Sequence, residues 1–254
     1  MERALKFKDH FSARAAQYAA FRPVYPDALI DHISALSPRR ALALDCGTGS
    51  GQAAASLATR FDRVVATDRS SEQLRHAVAA PNLEYRGTAA EDSGLPDGSV
   101  DLVTAAQALH WFDIPAFFRE ARRVLAPDGV IAVWGYGDPI LHEPALQTAL
   151  HEFNRGLLEP YWPAERELLL AGYATIDFPF AEISVPRFEL RERWTLAQLA
   201  GHLRSWSAVG RYEARHGRDP VIDLVKTLTK TWGAPDALHT ISWPLRARTG
   251  RHSA

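Results

Sequence analysis

Leu44–Gly51 reads LDCGTGSG, and it directly follows the apolar run ALALD (41–45). Three glycines, Gly47, Gly49 and Gly51, alternate with small residues where a short strand gives way to the helical pattern QAAASLATRF (52–61). A strand that turns sharply into a helix does so at the carboxyl edge of a parallel sheet, where open α/β folds bind their ligands. Glycine at alternate positions permits positive φ angles and lets a ligand touch main chain. The following helix N-terminus adds unpaired N–H groups and a partial positive charge.

Outward from this loop, strand and helix patterns alternate. RVVATD (63–68) is a strand, SSEQLRHAVAA (70–80) a helix, NLEYRGT (82–88) a strand and VDLVTAAQ (100–107) a strand. IPAFFREARRVL (114–125) follows as a helix, closed by APDG, and VIAVWGYG (130–137) as another strand. Several strands are apolar on both faces, which favours a parallel sheet covered by helices on both sides. Before the loop, 9–21 and PDALIDHISAL (26–36) have helical spacing, separated by the proline-rich FRPVYP. After Gly137 the pattern changes. Residues 140–171 are helical with Trp162-Pro163 as an interruption, AEISVPRFELRER (181–193) is strand-like, and TLAQLAGHLRSWSAV and VIDLVKTLTKTW are helices. HTISWPLRARTG (239–250) is a last strand.

The chain has 254 residues, 46% hydrophobic and 23% charged, enough for one domain with a sizeable core. A formal net charge of -1 provides no global field for nucleic acid or an anionic membrane. The single cysteine, Cys46, excludes an internal disulfide and suits a cytoplasmic setting. The N-terminus lacks the apolar core of a secretion signal, and no apolar run reaches the ~18 residues of a membrane span. No His, Cys or carboxylate cluster has metal-ligand spacing, so no metal is expected.

Two loop chemistries compete. A phosphate loop needs a Gly-Lys-Ser/Thr ending, and no lysine is present. A dinucleotide fingerprint needs a third glycine where Gln52 stands, which leaves an NAD-dependent oxidoreductase as the second reading. Asp68, closing VVATD, is placed to accept both hydroxyls of a ribose, although Ser70-Ser71 beside it supplies competing helix caps.

LDCGTGSG, ATD and AEDSGLPDGSVDLVTAAQALHWFD (90–113) together resemble successive motifs of the class I S-adenosylmethionine-dependent methyltransferases. The last segment is the most specific. It is similar to the type 11 subgroup that includes trans-aconitate methyltransferases, as FSARAAQYAAFRPVYP (11–26) is to that subgroup's N-terminal segment. The resemblance covers residues 9–136 and thins beyond them to LRSWSAV (203–209).

It implies a Rossmann-like α/β fold with a mostly parallel seven-stranded sheet, a reversed last strand and a helical cap. It implies one methyltransferase domain over 1–254, with a lid and cofactor half at 1–137 and an acceptor-pocket half at 138–254. Asp45, Gly47, Gly49 and Gln107 would meet the methionine part of S-adenosylmethionine, and Asp68 and Arg69 the ribose and adenine. Ala90 and Glu91 would lie at the adenine edge, with Tyr18 and Arg22 folded over as a lid. His110 and Trp111 would stand at the reacting centre, His110 serving as base for a phenol or amine.

The acceptor would be a small molecule, a carboxylate among the candidates, in a pocket built from Phe112, Tyr136, Arg193 and Trp206, with Trp194 and Arg204 nearby. Neither nucleic acid nor membrane is an expected partner, and a monomer or homodimer is expected. A protein that binds the cofactor without catalysis is a third reading.

Overall fold

A computed structural model of the chain describes residues 23–252; the helix expected over 9–21 lies outside them. Five strands supply the parallel part of the sheet: β1 (Leu42–Cys46), β2 (Arg63–Thr67), β3 (Leu83–Arg86), β4 (Val100–Ala106) and β5 (Leu125–Tyr136). β3 pairs with β2, β2 with β1, β1 with β4 and β4 with β5, all parallel. The order reverses its direction of growth at β1, so the connections leaving the paired β1 and β4 run to opposite sides, at the crevice where such folds take ligands.

α1 (Asp27–Leu36) and α2 (Gln52–Ala58) cover one face, and α4 (Ile114–Val124) covers the other. The period-2 alternation of β5 shows why both faces need cover. Val130, Ala132, Trp134 and Tyr136 join the core under α1 and α2, whereas Ile131 and Val133 join that under α4. Leu29, Ile30 and Ile33 give α1 its buried stripe, and Phe117, Phe118, Ala121 and Val124 give α4 its own.

The helix expected over 70–80 is shorter: α3 (Ser71–Arg75) stops five residues early. Beyond it the chain is drawn to the glycine loop, since Val78 N–H donates to Ser50 C=O and Tyr85 Oη donates to Val78 C=O. Pro81 then forbids a return to helix.

Against the expected seven strands, the sheet has nine among the described residues. The long β9 (His239–Arg251) runs antiparallel to β5, Tyr136 facing Leu245 and Val130 facing Arg251. Toward its start, β9 meets β6 (Ile140–Leu141) on the side of β5. Its opposite side carries β8 (Phe188–Trp194) and β7 (Ala181–Ile183). The extra strands are thus halves of two interrupted rows, one broken at Gly137–Pro139 and the other between Ile183 and Phe188, where Pro186 sits. Proline lacks the N–H that would continue a ladder.

The remaining helices are α5 (Pro144–His151), α6 (Arg166–Leu170), α7 (Leu196–Arg204), α8 (Ser207–His216) and α9 (Val221–Trp232). α5, α7, α8 and α9 share the buried cluster of α1, through residues such as Leu150, Leu199, Tyr212 and Trp232, whereas Leu168 and Leu169 of α6 pack against the cluster under α4.

β5 can approach α6 closely only because residue 135 is glycine. A Cβ there would overlap Leu169 Cδ1 and Gln107 Oε1. We expect Gly135→Ala to lower stability by about 1–3 kcal/mol, the usual cost of overpacking, read as a lower midpoint in urea unfolding. An unchanged midpoint would show that Gln107 and Leu169 are not fixed against this strand.

Candidate active site

The tips of β1, β2, β4 and β5 meet at one edge, and two buried or half-buried carboxylates shape the loop between them. Asp45 is fully buried at the end of β1. It accepts hydrogen bonds from Thr48 Oγ1 at 2.6 Å and Thr104 Oγ1 at 2.7 Å, tying the loop to β4. Burial raises its pKa to about 6, against the lowering effect of the two threonine hydroxyls, and the charge of Asp68 adds to the rise.

Asp68 reaches back from the tip of β2. Its Oδ2 accepts the Gly49 N–H at 2.8 Å and its Oδ1 accepts the Ser70 N–H at 2.8 Å. The capping of α3 falls instead to Ser70, whose side chain accepts from Gln73 N–H. The competing cap reading of Asp68 is thereby resolved. A carboxylate oxygen has two lone pairs, so one main-chain N–H on each oxygen is compatible with accepting from a diol.

All three loop glycines have positive φ: 64° at Gly47, 57° at Gly49 and 80° at Gly51. Their surroundings differ. A Cβ on Gly47 would lie 2.6 Å from Ala108 Cβ and 2.9 Å from Phe112 Cζ, so that glycine is demanded by packing. At Gly49 the nearest atom to a Cβ would be Gln73 Oε1, at 3.8 Å. Space therefore remains beside the main chain at Gly49, and the buried Gln73 Oε1 lacks a hydrogen-bond partner among the described residues. These features fit an adenosyl cofactor: bare main chain at Gly49, a carboxylate at the neighbouring strand tip bonded to it, and open space beside that main chain.

Glu91 links two further elements. Its Oε2 accepts from Arg69 Nη2 at 3.1 Å, and its Oε1 accepts the Asp113 N–H at 2.9 Å at the start of α4. Arg69 and Glu91 thus form a pair across the mouth of the loop, beside the buried Ala90. Cys46 is buried, and burial raises its thiol pKa, which suits an inert filler rather than a nucleophile.

Past the tip of β4, Gln107 adopts φ 55°, uncommon for a residue with a side chain. Its side chain secures it: Nε2 donates to Tyr136 C=O at 3.1 Å, and Oε1 accepts Tyr136 N–H at 3.0 Å. β4 and β5 are clamped together where they end. Gln107 and Tyr136 line a cavity with His110 and Trp111, which belong to the short 3₁₀ turn Leu109–Trp111. The far wall comes from Trp162, Arg166, Leu169 and Leu170, and from Trp206 beyond the end of α7.

His110 is buried in this wall. Its Nδ1 lies 3.1 Å from Tyr173 Oη, and its ring stacks on Tyr173 and lies against Trp111. Tyr173 is completely buried, and burial raises its pKa, so the phenol keeps its proton. Trp206 Nε1 donates to His202 Nε2 at 3.3 Å.

Several expected site residues fall elsewhere. Phe112 packs over Gly47 and against Phe117, at the glycine loop rather than in the cavity wall. Arg193 is exposed on β8, because strand alternation turns its neighbour Trp194 inward. Arg204 pairs with Asp219 at 2.7 Å. Tyr18 and Arg22 lie outside the described residues. The sequence reading missed Arg166, Trp162, His202 and Tyr173. Tyr173 follows Gly172, and both have positive φ, but LLLAGYA carries no pattern that marks such a turn.

Comparison with known proteins gives the family. A family model for a methyltransferase domain matches residues 44–133. Over 234 residues the chain is 34% identical to a Dictyostelium discoideum protein provisionally named a methyltransferase, covering 91% of this chain and 89% of that one. A solved structure of a provisionally assigned type II methyltransferase from Anaeromyxobacter dehalogenans aligns with TM-score 0.85 and 42% identity, over 92% of this chain and 99% of that one. A malonyl-[acyl-carrier protein] O-methyltransferase of Dechloromonas aromatica is 40% identical over 138 residues, 53% of this chain and 52% of that protein. The chain belongs to the class I S-adenosylmethionine-dependent methyltransferases, in the type 11 group, and is an enzyme of that class. Among the described residues, no helix is long and apolar enough to cross a membrane.

The buried Asp45 predicts a pH effect. Its folded pKa, about 6, lies above the ordinary value of 3.8, so the folded chain holds this proton more tightly than the unfolded chain. The associated stability is full below pH ~4 and is lost as pH rises toward 6. Asp45→Asn should therefore gain on the wild type by about 2 kcal/mol between pH 4.5 and 7.5, measured as the difference of their unfolding free energies. A pH-independent difference would remove the shift.

Proposed function

We propose that this enzyme transfers a methyl group from S-adenosylmethionine to a small molecule bound in the cavity beside Gln107 and His110. The observation that carries the reading is the contact of Asp68 with the Gly49 N–H, beside open space at the carboxyl edge of the sheet. In this reading Gly47 and Gly49 present main chain to the methionine part and Asp68 takes the ribose hydroxyls. Asp45 acts from behind the loop, by holding Thr48 and Thr104. The Arg69–Glu91 pair, with Ala90, borders the adenine. One domain comprises a cofactor half, 1–137, and an acceptor half, 138–254.

The sulfonium of the bound cofactor supplies an electrophilic methyl carbon. What remains for the protein is to align the acceptor and exclude water, and orientation of two bound reactants is worth ~7–11 kcal/mol. The cavity suits that task. Gln107 and Tyr136 are locked to each other, and Trp111, Trp162 and Trp206 supply rigid apolar walls.

His110 is better placed as an orienting group than as a base. In this reading the Tyr173 phenol donates to Nδ1, which leaves the ring proton on Nε2 to be donated to the acceptor. A carboxylate or an enolate oxygen, already anionic, needs no base. The relative that methylates a malonyl-[acyl-carrier protein] bears a name consistent with oxygen methylation, over half of this chain.

The test is calorimetry with S-adenosylmethionine and its demethylated product, followed by a labelled-methyl screen over carboxylates, phenols and amines. Asp68→Ala should weaken cofactor binding by about 1.5–3 kcal/mol, the scale of hydrogen bonds to a charged group. Unchanged affinity would take Asp68 out of the ribose role. Tight NAD(H) binding without S-adenosylmethionine binding would favour an oxidoreductase. Cofactor binding with silence across the screen would favour a non-catalytic binding protein.

A further inference from the structure

Arg166 stands in the wall of the acceptor cavity and is 6% exposed. Its Nη2 donates to Asp138 Oδ1, and Trp162 stacks on the guanidinium, with the Arg166 Cζ 3.9 Å from the ring centroid. Its Nη1, by contrast, is buried with no hydrogen-bond partner among the described residues. A buried N–H of a charged group that lacks an acceptor is costly, and native interiors seldom leave one so.

The neighbouring charges do not answer it. Asp138 is shared with Arg155, at 3.3 Å, and Arg155 also faces Glu159 at 3.6 Å. Two guanidiniums and two carboxylates sum to no net charge. The corner is therefore no general sink for anions. It offers a directed donor, held in plane by Trp162 and in position by Asp138.

We propose that Arg166 is a specificity-determining residue that anchors a carboxylate of the acceptor through Nη1. This rests on the reading of the cavity as the acceptor site. Trp111, Trp162, Trp206, Leu169 and Leu170 in the same wall suit an apolar or unsaturated body, beside the polar His202, Ser205 and Ser207. The anchored carboxylate is a handle rather than the methylated group, because hydrogen bonding to a guanidinium lowers the nucleophilicity of an oxygen. The methyl-accepting atom then lies toward Gln107 and His110. A charge-assisted bond favours a carboxylate over a neutral amide, since such bonds are about twice as strong as neutral ones.

The experiment measures binding of cinnamate and octanoate, with their primary amides, to the full chain by calorimetry in saturating S-adenosylhomocysteine. The carboxylates should bind at least about tenfold more tightly than the amides. Arg166→Gln should lose that preference while retaining its affinity for S-adenosylhomocysteine. Arg166→Lys, which keeps the charge for Asp138 but not the planar fork, should lose part of it. The proposal is overturned if S-adenosylhomocysteine binds but neither carboxylate does, if amides bind equally well, or if Arg166→Gln binds the carboxylates as the wild type does. Should Arg166→Gln fail to fold, the carboxylate-to-amide ratio of the wild type and the Arg166→Lys variant still decide. Failure of S-adenosylhomocysteine to bind the wild type would strike the cofactor reading instead.

Discussion

The hydrogen bond from the Gly49 N–H to the Asp68 carboxylate, flanked by one from the Thr48 N–H to the Thr67 C=O, ties the turn after β1 to the tip of β2. It couples two requirements of a nucleoside site. Main chain must be bare where the ligand approaches, and a carboxylate must stand one strand away. Neither element would hold its place alone. A loop of three left-handed glycines has much conformational freedom to lose, and a half-buried carboxylate has to be satisfied. The bond answers both, and Asp45 completes the frame from below by fixing Thr48 to Thr104 across β1 and β4.

The same economy recurs on the acceptor side. Gln107 tolerates its left-handed backbone because its amide forms a two-bond clamp on Tyr136. Gly135 clears the room for that amide, and Tyr173, itself in a left-handed turn, fills the space behind His110. Strained backbone concentrated at one edge of the sheet is characteristic of functional sites, where surrounding contacts over-determine it. Here those contacts are identifiable: two amide hydrogen bonds, one phenol and a row of tryptophans.

The divided sheet also has a consequence for the cavity. Interrupting the row of β5 at Gly137–Pro139 releases Asp138 from the ladder and presents it to Arg166 and Arg155. An unbroken strand would have kept residue 138 paired with β9. The cost in ladder hydrogen bonds is offset by a charged corner that an uninterrupted sheet would not hold.

The glycine loop, the alternation of strand and helix, and Asp68 closing VVATD were legible in the sequence because they are local. Hydrophobic period and glycine placement encode backbone geometry within a few residues. The helix ending at Arg75, the interrupted strands and the exposed Arg193 were less so, since each depends on a partner distant in the chain: Ser50 for Val78, β9 for β6 to β8, and β8 alternation set against a sheet neighbour. The cavity was legible least of all. Gln107, Arg166 and Trp206 come from separate elements, and α6 is too short for its periodicity to say which side chain faces inward. The sequence by itself determined the class of fold and the shape of the cofactor loop. Only tertiary structure decided which arginine stands in the cavity wall, because burial of a charged side chain is settled by what packs around it.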